Sequence, residues 1–334
     1  MIEPNKEAAA NRASRCACRI YRALKMLSGG SGAIVTLLAM APVAVAQTSD
    51  GPVAGEAWWT GPIVASSGGT LPRGHLLVEP YIFDVRSAGS DYAGSLTYLL
   101  YGATDRLTIG LIPTAGSSRS AGSNRGRRLG INDLTLTAQY RMHQAAPGER
   151  MPTWSLVVQE VLPLGRFDRL HGDPDRGIGG GVYTTIIGIY AQRSDILASG
   201  RTIRTRLNAT YSLPTATDVR DASIFGTREG FDGRARPGRS LFIDMSVEYS
   251  LSRSWALACD GFYRYTASAH VSGRLPSGEA FSANTAARRS FAAAPAIEYS
   301  WSATRGVLLG VRRIFPARAE PGSWTPVFAF NAYF

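Results

Sequence analysis

Trp324-Thr-Pro-Val-Phe-Ala-Phe-Asn-Ala-Tyr-Phe334 is the stretch of sequence that decides the fold. Apolar side chains occupy every second position back from the end, and the positions between them include Thr325, Asn331 and Tyr333. This period of two predicts a β-strand with one apolar face. Such a strand, ending on an aromatic residue, is typical of the last strand of a bacterial outer-membrane β-barrel. The alternative is an amphipathic strand at the end of a soluble domain.

The amino end has the features of a secretory signal peptide. Residues 12–25 contain five basic side chains, residues 33–41 form a short apolar run, and Ala44-Val45-Ala46 presents a small-x-small pattern. We therefore predict a signal peptide over residues 1–46, although a start at Met26 is an alternative. No later segment has the roughly twenty apolar residues of a membrane helix. A secreted chain without such a helix is periplasmic, exported further, or a barrel.

Composition narrows the class of the mature chain. Cys259 is its only cysteine, which excludes an intramolecular disulfide and cysteine-based metal sites. Both lysines of the chain precede residue 47, so the mature positive charge comes from arginine alone. Removing residues 1–46 takes away six basic and two acidic groups, which lowers the net charge from +11 to about +7. A signal peptide separates this basic chain from nucleic acid, which we exclude as a partner.

Alternating segments recur along the rest of the chain, each about long enough for a tilted strand to cross a membrane. In the clearest, residues 133–142, Leu134 and Tyr140 lie on an apolar face, whereas Gln139 and Arg141 lie on a polar face. The twelve segments are 75–84, 93–103, 106–114, 132–142, 153–163, 181–191, 201–213, 240–250, 254–266, 289–300, 305–315 and 324–334. Alternation alone does not separate a membrane barrel from a soluble sandwich, because the pattern is the same and only its orientation is inverted.

The connections favour the membrane barrel. Tight joins near residues 102–105, 251–254 and 302–305 alternate with long polar loops at 115–131, 164–180, 214–239 and 267–288. This alternation is typical of strands that run up and down through an outer membrane. An even strand count puts both termini in the periplasm. Aromatic residues at the ends of the six returning strands, Tyr190 among them, predict a ring at the lipid–water boundary.

The sequence therefore predicts an all-β fold, a transmembrane antiparallel up-and-down barrel of about twelve strands in the outer membrane. Its organisation is a signal peptide over 1–46, a short periplasmic segment over 47–74 and a barrel over 75–334. Trp58 and Trp59 of the short segment either dock as a periplasmic cap or enter the lumen. Phe334 is the expected membrane-assembly signal, read by the barrel-assembly machinery. Outer-membrane lipid and lipopolysaccharide are the other expected partners.

Three stretches resemble a known family. They are residues 70–81, which contain a Leu-Pro-x-Gly motif, residues 129–141, which contain Gly-x-x-Asp-Leu, and Leu162-Pro-Leu-Gly165. Together they resemble the bacterial outer-membrane family called "MetA-pathway of phenol degradation", a family of transporters. The resemblance covers about residues 70–334 and implies a channel for aromatic or other small hydrophobic compounds. Its motifs define no binding residues.

Nine charged residues are expected to face the lumen. They are Arg141, Arg204, Arg206, Asp244, Glu248, Asp260, Arg264, Glu298 and Arg312. One interpretation is that these charges satisfy one another across adjacent strands. The other is a polar pathway that favours organic anions, with its field set by the arginines, although the acids on neighbouring strands oppose such a bias.

Two other functions were weighed against a passive channel. An outer-membrane hydrolase needs a base beside a nucleophile, and His171 with Asp173 and Asp175 is the best candidate cluster. A Gly/Pro-containing loop of this kind is more often a solvated turn. A structural or adhesive barrel would use the long loops 214–239 and 267–288. The preferred prediction is a non-enzymatic channel or transporter for small molecules that needs no cofactor and no metal.

Overall fold

The computed structural model describes residues 58–59, 61–120, 128–317 and 319–334. The predicted signal peptide lies outside these residues. No helix in the described part of the chain is both long and apolar enough to cross a membrane. Apart from one turn of 3-10 helix at Pro174–Arg176, the elements there are the strands β1 Leu76–Ser87, β2 Ser90–Thr104, β3 Leu107–Ile112, β4 Thr114–Ser120, β5 Gly130–Ile131, β6 Leu134–His143, β7 Thr153–Leu162, β8 Thr184–Ile196, β9 Thr202–Pro214, β10 Thr217–Arg220, β11 Asp232–Arg236, β12 Ser240–Ser250, β13 Trp255–Thr266, β14 His270–Arg274, β15 Ala280–Asn284, β16 Arg288–Ser302, β17 Arg305–Ile314 and β18 Ser323–Tyr333.

Most of these strands form one antiparallel sheet that closes on itself. β1 pairs with β2 on one side and with β18 on the other. β3 and β4 both pair with β2 and continue one another across Pro113, while β5 and β6 pair with β4 and β3. β3 with β4 and β5 with β6 each act as one barrel strand, and each strand of the barrel counted in this way is called a stave here. The sheet is therefore a closed barrel of twelve staves, as predicted. Closure leaves no unpaired edge, which a sheet in lipid requires.

The two faces of the barrel have the polarity of a membrane protein. Along β12, Met245 points outward and is 64% exposed, whereas Glu248 points inward and is 0% exposed. Exposed apolar side chains also lie on the outside of the other strands, and buried charges such as Arg206 and Asp260 lie on the inside of the neighbours of β12. A soluble sandwich would bury the apolar face. The soluble alternative for the terminal strand is therefore excluded.

Short and long connections lie at opposite ends of the barrel. The turn end has the joins at residues 105–106, 144–152, 197–201, 251–254 and 303–304, and the loop end has most of the longer ones. The barrel begins and finishes at the turn end, where Leu76 and Phe334 exchange two backbone hydrogen bonds of 2.8 and 2.9 Å. That the turn end faces the periplasm stays a prediction. At the loop end, the join between the segments predicted at 75–84 and 93–103 is only residues 88–89, because β1 and β2 extend further as a ladder.

The two longest loops, predicted only as long polar connections, contain regular secondary structure. They contribute β10, β11, β14 and β15 to a separate four-stranded antiparallel sheet at the loop end, called here the cap sheet. Its core consists of Val219, Phe231, Ala235 and Val271. This sheet could not be predicted from the sequence because its strands are only four or five residues long, and their alternation is too brief to stand out from polar neighbours.

Aromatic side chains at the turn end mostly point outward. Tyr101, Tyr140, Tyr299 and Trp301 are exposed there, as expected for a boundary ring. Tyr190 is an exception and its prediction was wrong, because it is buried inside the barrel. In β8 the outward positions are those of Ile187 and Ile189, which places Tyr190 on the inner face.

Candidate functional site in the barrel lumen

The chain that precedes the barrel lies inside it. Residues 61–73, called here the lumen segment, run across the interior toward the start of β1, and residues 61–71 are all buried. From the sequence, this stretch was predicted to belong to a short periplasmic segment over 47–74. The side chains that bind it lie on the halves of the strands nearer the turn end, so it occupies that half of the lumen.

Acidic side chains hold the first part of the lumen segment. The carboxylate of Asp260 accepts hydrogen bonds from the backbone N–H groups of Val64 (3.2 Å) and Ala65 (2.9 Å). Glu298 accepts one from Gly61 (3.1 Å). Arg206 donates to the carbonyl of Ala65 (2.8 Å). These charge-assisted bonds fix an irregular backbone that has no strand partner of its own.

Neutral side chains of the opposite wall hold the second part. Gln139 donates to the carbonyl oxygens of Ser67 (2.9 Å) and Gly69 (2.7 Å). Ser155 donates to that of Gly68 (2.6 Å). A Cβ added to Gly68 would lie 2.5 Å from the carbonyl oxygen of Thr153, so only glycine permits this close approach. The segment therefore fits tightly between two walls.

Trp58 and Trp59 were predicted either to dock as a cap or to enter the lumen, and the two residues differ in this respect. The Trp59 ring is buried against Arg204, whose guanidinium carbon lies 4.5 Å from the ring centroid. The Trp58 ring lies against Arg253, at 4.8 Å, in the turn that joins β12 and β13. Trp59 therefore reaches the lumen and Trp58 lies at its rim. Cation–π contacts of this kind stabilise a cation that is removed from water.

Three of the predicted lumen charges form a buried ion cluster. Glu248 accepts hydrogen bonds from the Nε atoms of Arg204 (2.7 Å) and Arg206 (3.0 Å), and all three side chains are buried. The residues meet because β9 and β12 pair with Glu248 directly opposite Arg204 and Ser246 opposite Arg206. One carboxylate thus faces two guanidinium groups, which leaves one positive charge in the cluster to interact with neighbouring acids.

Other predicted lumen charges lie nearer the loop end. Arg264 stacks on Phe242 and Phe262, with its guanidinium carbon 5.0 and 5.7 Å from the ring centroids. Arg312 is buried and donates to Thr325 over 3.4 Å. These arginines are separated along the strands from the cluster of Arg204 and Arg206. An anion bias based on all of them together stays a prediction.

Of the remaining candidates, Asp244, Asp260 and Glu298 are buried on inward positions, and Arg141 is half-buried on the inner face of β6. The structure thus brings Asp244 and Asp260 close to the cluster of Arg204, Arg206 and Glu248, and it keeps Arg141 on the other wall. That these side chains line the path of a solute stays a prediction.

Sequence reasoning missed the apolar part of the lumen. Inward positions of β1, β2, β13, β16, β17 and β18 form one buried cluster, called here the apolar wall, which includes Tyr81, Phe83, Tyr92, Leu96, Tyr98, Phe262, Ala294, Leu308 and Val327. Tyr81 meets Tyr98 edge-on at 5.9 Å, and Phe83 stacks on Tyr92 at 6.1 Å. The available signal was β1 itself, Leu76–Ser87, whose apolar residues occupy both faces.

A cleft of about 370 Å³ lies at the loop end beside the cap sheet. Its lining includes Phe167 and Tyr183 from the connection between β7 and β8, together with Thr215 and Arg234. The same connection is held over the barrel mouth by Asp133, whose carboxylate accepts hydrogen bonds from the N–H groups of residues 165 (3.0 Å) and 180 (2.7 Å). The loops therefore form a rim at the barrel mouth, with a partly apolar cleft beside the cap sheet.

The histidine cluster considered for hydrolysis is not assembled. Asp175 accepts hydrogen bonds from the backbone and the hydroxyl of Ser120, both at 2.6 Å. Asp173 lies 3.5 Å from Arg176. His171 instead lies 3.8 Å from Glu229 on the exposed rim.

The barrel has the fold of a solved outer-membrane channel. The COG4313 outer membrane channel of Pseudomonas putida F1 is 16% identical, with a TM-score of 0.56, over 80% of this chain and 98% of that chain. The toluene transporter TbuX of Ralstonia pickettii is 13% identical, with a TM-score of 0.36, over 79% and 90%. The translocator domain of the autotransporter NalP of Neisseria meningitidis is 11% identical, with a TM-score of 0.39, over 78% and 88%.

The sequence comparisons agree with the resemblance seen in the motifs. Among curated proteins, none matches the sequence closely enough to count as a relative. The fold, with its twelve staves and inverted polarity, is that of a bacterial outer-membrane protein. Residues 63–325, most of the chain, match the family described as "Putative MetA-pathway of phenol degradation", and the protein belongs to that family.

Proposed function

We propose that this protein is a passive outer-membrane channel for small apolar molecules, with aromatic compounds as the main class. The observation that supports this most directly is the apolar wall. A barrel that conducts water and ions has a polar interior, whereas here half of the staves point tyrosine, phenylalanine, leucine and alanine inward. Such a surface favours solutes with little charge, because a charged solute would lose hydration without gaining partners.

The comparisons are consistent with this proposal. The Pseudomonas putida structure is described as an outer membrane channel, and the family description refers to phenol degradation. Transport of organic anions is the second candidate, favoured by the buried Arg264 and Arg312 at the loop end. Lipopolysaccharide and the barrel-assembly machinery stay our proposed partners, and we propose no catalytic role.

Uptake by whole cells tests the proposal, because the lipopolysaccharide leaflet is the barrier that such a channel would bypass. Cells with and without the protein are given radiolabelled toluene, phenol or benzoate at low concentration. We expect faster uptake of toluene and phenol and little change for benzoate. Uptake of benzoate alone would support the anion candidate instead, and no effect on any of the three would contradict the channel.

A pair of variants on β16 locates the pathway. Ala294 is fully buried on the inner face, and its neighbour Ala293 lies on the outer face. Ala294→Leu should slow aromatic uptake by narrowing the apolar wall, whereas Ala293→Leu should not. Heat-modifiable migration in gels verifies that both variants fold. Equal uptake in the two variants would show that the solute does not pass this position.

A further inference from the structure

One patch of the lumen contains polar atoms that have no protein partner. Asp244 and Asn208 are 0% exposed and Ser246 is 2% exposed. Within the described residues, both carboxylate oxygens of Asp244, both amide atoms of Asn208 and the hydroxyl of Ser246 lack a hydrogen-bond partner. Buried polar groups are almost always paired, because each unpaired group costs about 1–3 kcal/mol. Five such atoms in one place indicate a ligand rather than a chance defect.

The strand register places these groups together on one inward surface. Asn208 of β9 lies directly opposite Asp244 of β12. Ser246 is two residues further along β12 and lies opposite Asp260 of β13. Side chains in directly opposed positions are about 4.5–5.5 Å apart at Cβ, and diagonal ones about 7–8 Å. Asp244 and Ser246 of β12 therefore lie between Asn208 on one side and Asp260 on the other, and the set offers oxygen atoms from two carboxylates, an amide and a hydroxyl.

The charge of this set favours a positive ligand. Asp244 and Asp260 are diagonal neighbours in a lumen where charges are weakly screened, so their carboxylates repel one another. Arg206 of β9, directly opposite Ser246, supplies one positive charge beside the set, and its guanidinium also binds Glu248 (3.0 Å) and the carbonyl of Ala65 (2.8 Å). Glu79 and Glu298 are further buried acids of the same lumen. A cation at the set would reduce this excess of negative charge.

The chemistry of the ligand atoms and the small space between them indicate which kind of cation would bind. All the donors are oxygen atoms, which hard cations prefer over thiolate or imidazole. No group of three or more His, Cys, Asp or Glu side chains that could hold a metal ion is present in the described chain, so a cation here would rely on the neutral oxygens of Asn208 and Ser246 beside two carboxylates. The near-complete burial of Asp244, Asn208 and Ser246 leaves no water-sized space beside them, which argues against an organic amine. Mg²⁺ usually keeps several waters, whereas Ca²⁺ accepts an irregular set of protein oxygens.

We infer that Asp244, Asn208 and Ser246, together with Asp260, bind a calcium ion inside the barrel. Because Asp260 also holds the backbone of Val64 and Ala65, the ion links β12 to the lumen segment. Bound calcium therefore stabilises the arrangement in which the lumen segment stays in place. This inference does not depend on which solute the channel carries.

Calorimetric titration of the folded barrel in detergent tests the inference. The protein is refolded without lipopolysaccharide, whose phosphates bind calcium themselves, and is stripped with a chelator. We expect one calcium to bind per chain, with magnesium and sodium binding far more weakly, and a rise in the temperature at which the folded gel band is lost. Asp244→Asn should weaken calcium binding at least tenfold, and Asn208→Leu should also weaken it.

Asp133→Asn is the matched control, since Asp133 is a buried carboxylate at the loop end whose oxygens are already bound by backbone N–H groups. It should leave calcium binding unchanged. Wild-type protein that binds no calcium at millimolar concentration would overturn the inference. Equal binding by wild type and Asp244→Asn would also overturn it, because the ion would then lie elsewhere. The heat-modifiable gel shift confirms that each variant is folded before it is titrated.

Discussion

Replacing Gly68 with alanine should loosen the lumen segment. A Cβ at this position would lie 2.5 Å from the carbonyl oxygen of Thr153, 2.7 Å from the backbone nitrogen of Gln192 and 2.9 Å from the carbonyl carbon of Ala191. All three atoms belong to the backbone of the barrel wall, which cannot move without breaking its own ladder. The lumen segment must therefore retreat from the wall.

The size of the effect follows from the bonds that the retreat breaks. Ordinary contact begins near 3.4 Å, so the segment has to move by about 0.9 Å. The bond from Ser155 to Gly68 and the two bonds from Gln139 are now 2.6 to 2.9 Å long. They would stretch to about 3.5 Å or more, beyond useful hydrogen-bond length. At about 1 kcal/mol each, their loss costs about 3 kcal/mol, which is roughly a hundredfold shift toward a displaced segment.

Single-channel conductance in planar bilayers measures this displacement. The wild type should conduct weakly, and Gly68→Ala should open more often or to a higher level. Gly261→Ala is the control, because a Cβ there would meet nothing within 4 Å. If folded Gly68→Ala conducted like the wild type and like Gly261→Ala, the lumen segment would not limit passage and the reasoning would be refuted.

Three other changes test separate parts of the structure. Glu248→Gln leaves Arg204 and Arg206 buried without their shared carboxylate, which should cost about 3–5 kcal/mol and lower the temperature at which the folded gel band is lost; an unchanged temperature would contradict this. Phe231→Ala should destabilise the cap sheet by about 3–5 kcal/mol and expose its loops to protease, while the barrel band persists. Deletion of Phe334 should reduce the yield of folded barrel more than the conductance of the molecules that do fold, and the opposite ranking would argue against an assembly role.

The barrel itself could be predicted from the sequence because the alternating pattern that specifies each strand is local and recurs along the chain. Most of the long strands alternate over ten or more residues, as in β12, and the period of two fixes which side chains face inward. The inward orientation of Glu248, Arg204 and Arg206 could therefore be predicted from the sequence alone. The sequence does not give the register in which β9 pairs with β12, and it is this register that places Glu248 opposite Arg204.

The lumen segment and the apolar wall could not be predicted in the same way. Nothing in residues 61–73 alternates, so the stretch resembles a linker. The apolar wall was hidden because a strand such as β1 is apolar on both faces, one toward lipid and one toward the interior. Tyr190 was misplaced for a related reason, since aromatic residues suit both the boundary ring and a packed lumen.

The composition that made the lumen segment look like a linker is what allows it to bind. A buried carboxylate such as Asp260 needs hydrogen-bond donors, and a closed barrel offers few because its backbone N–H groups are used in the ladder. A chain without strand partners brings free N–H and C=O groups into the lumen, and Asp260, Gln139 and Ser155 bind them. Ser66-Ser-Gly-Gly-Thr70 has small side chains, so its backbone can reach both walls. Larger residues would still fill the space, but they would hold the backbone away from the side chains that bind it. The Gly68→Ala variant distinguishes filling of the lumen from binding of the segment to the walls. It adds volume to the lumen and yet should raise the conductance, because it weakens the binding.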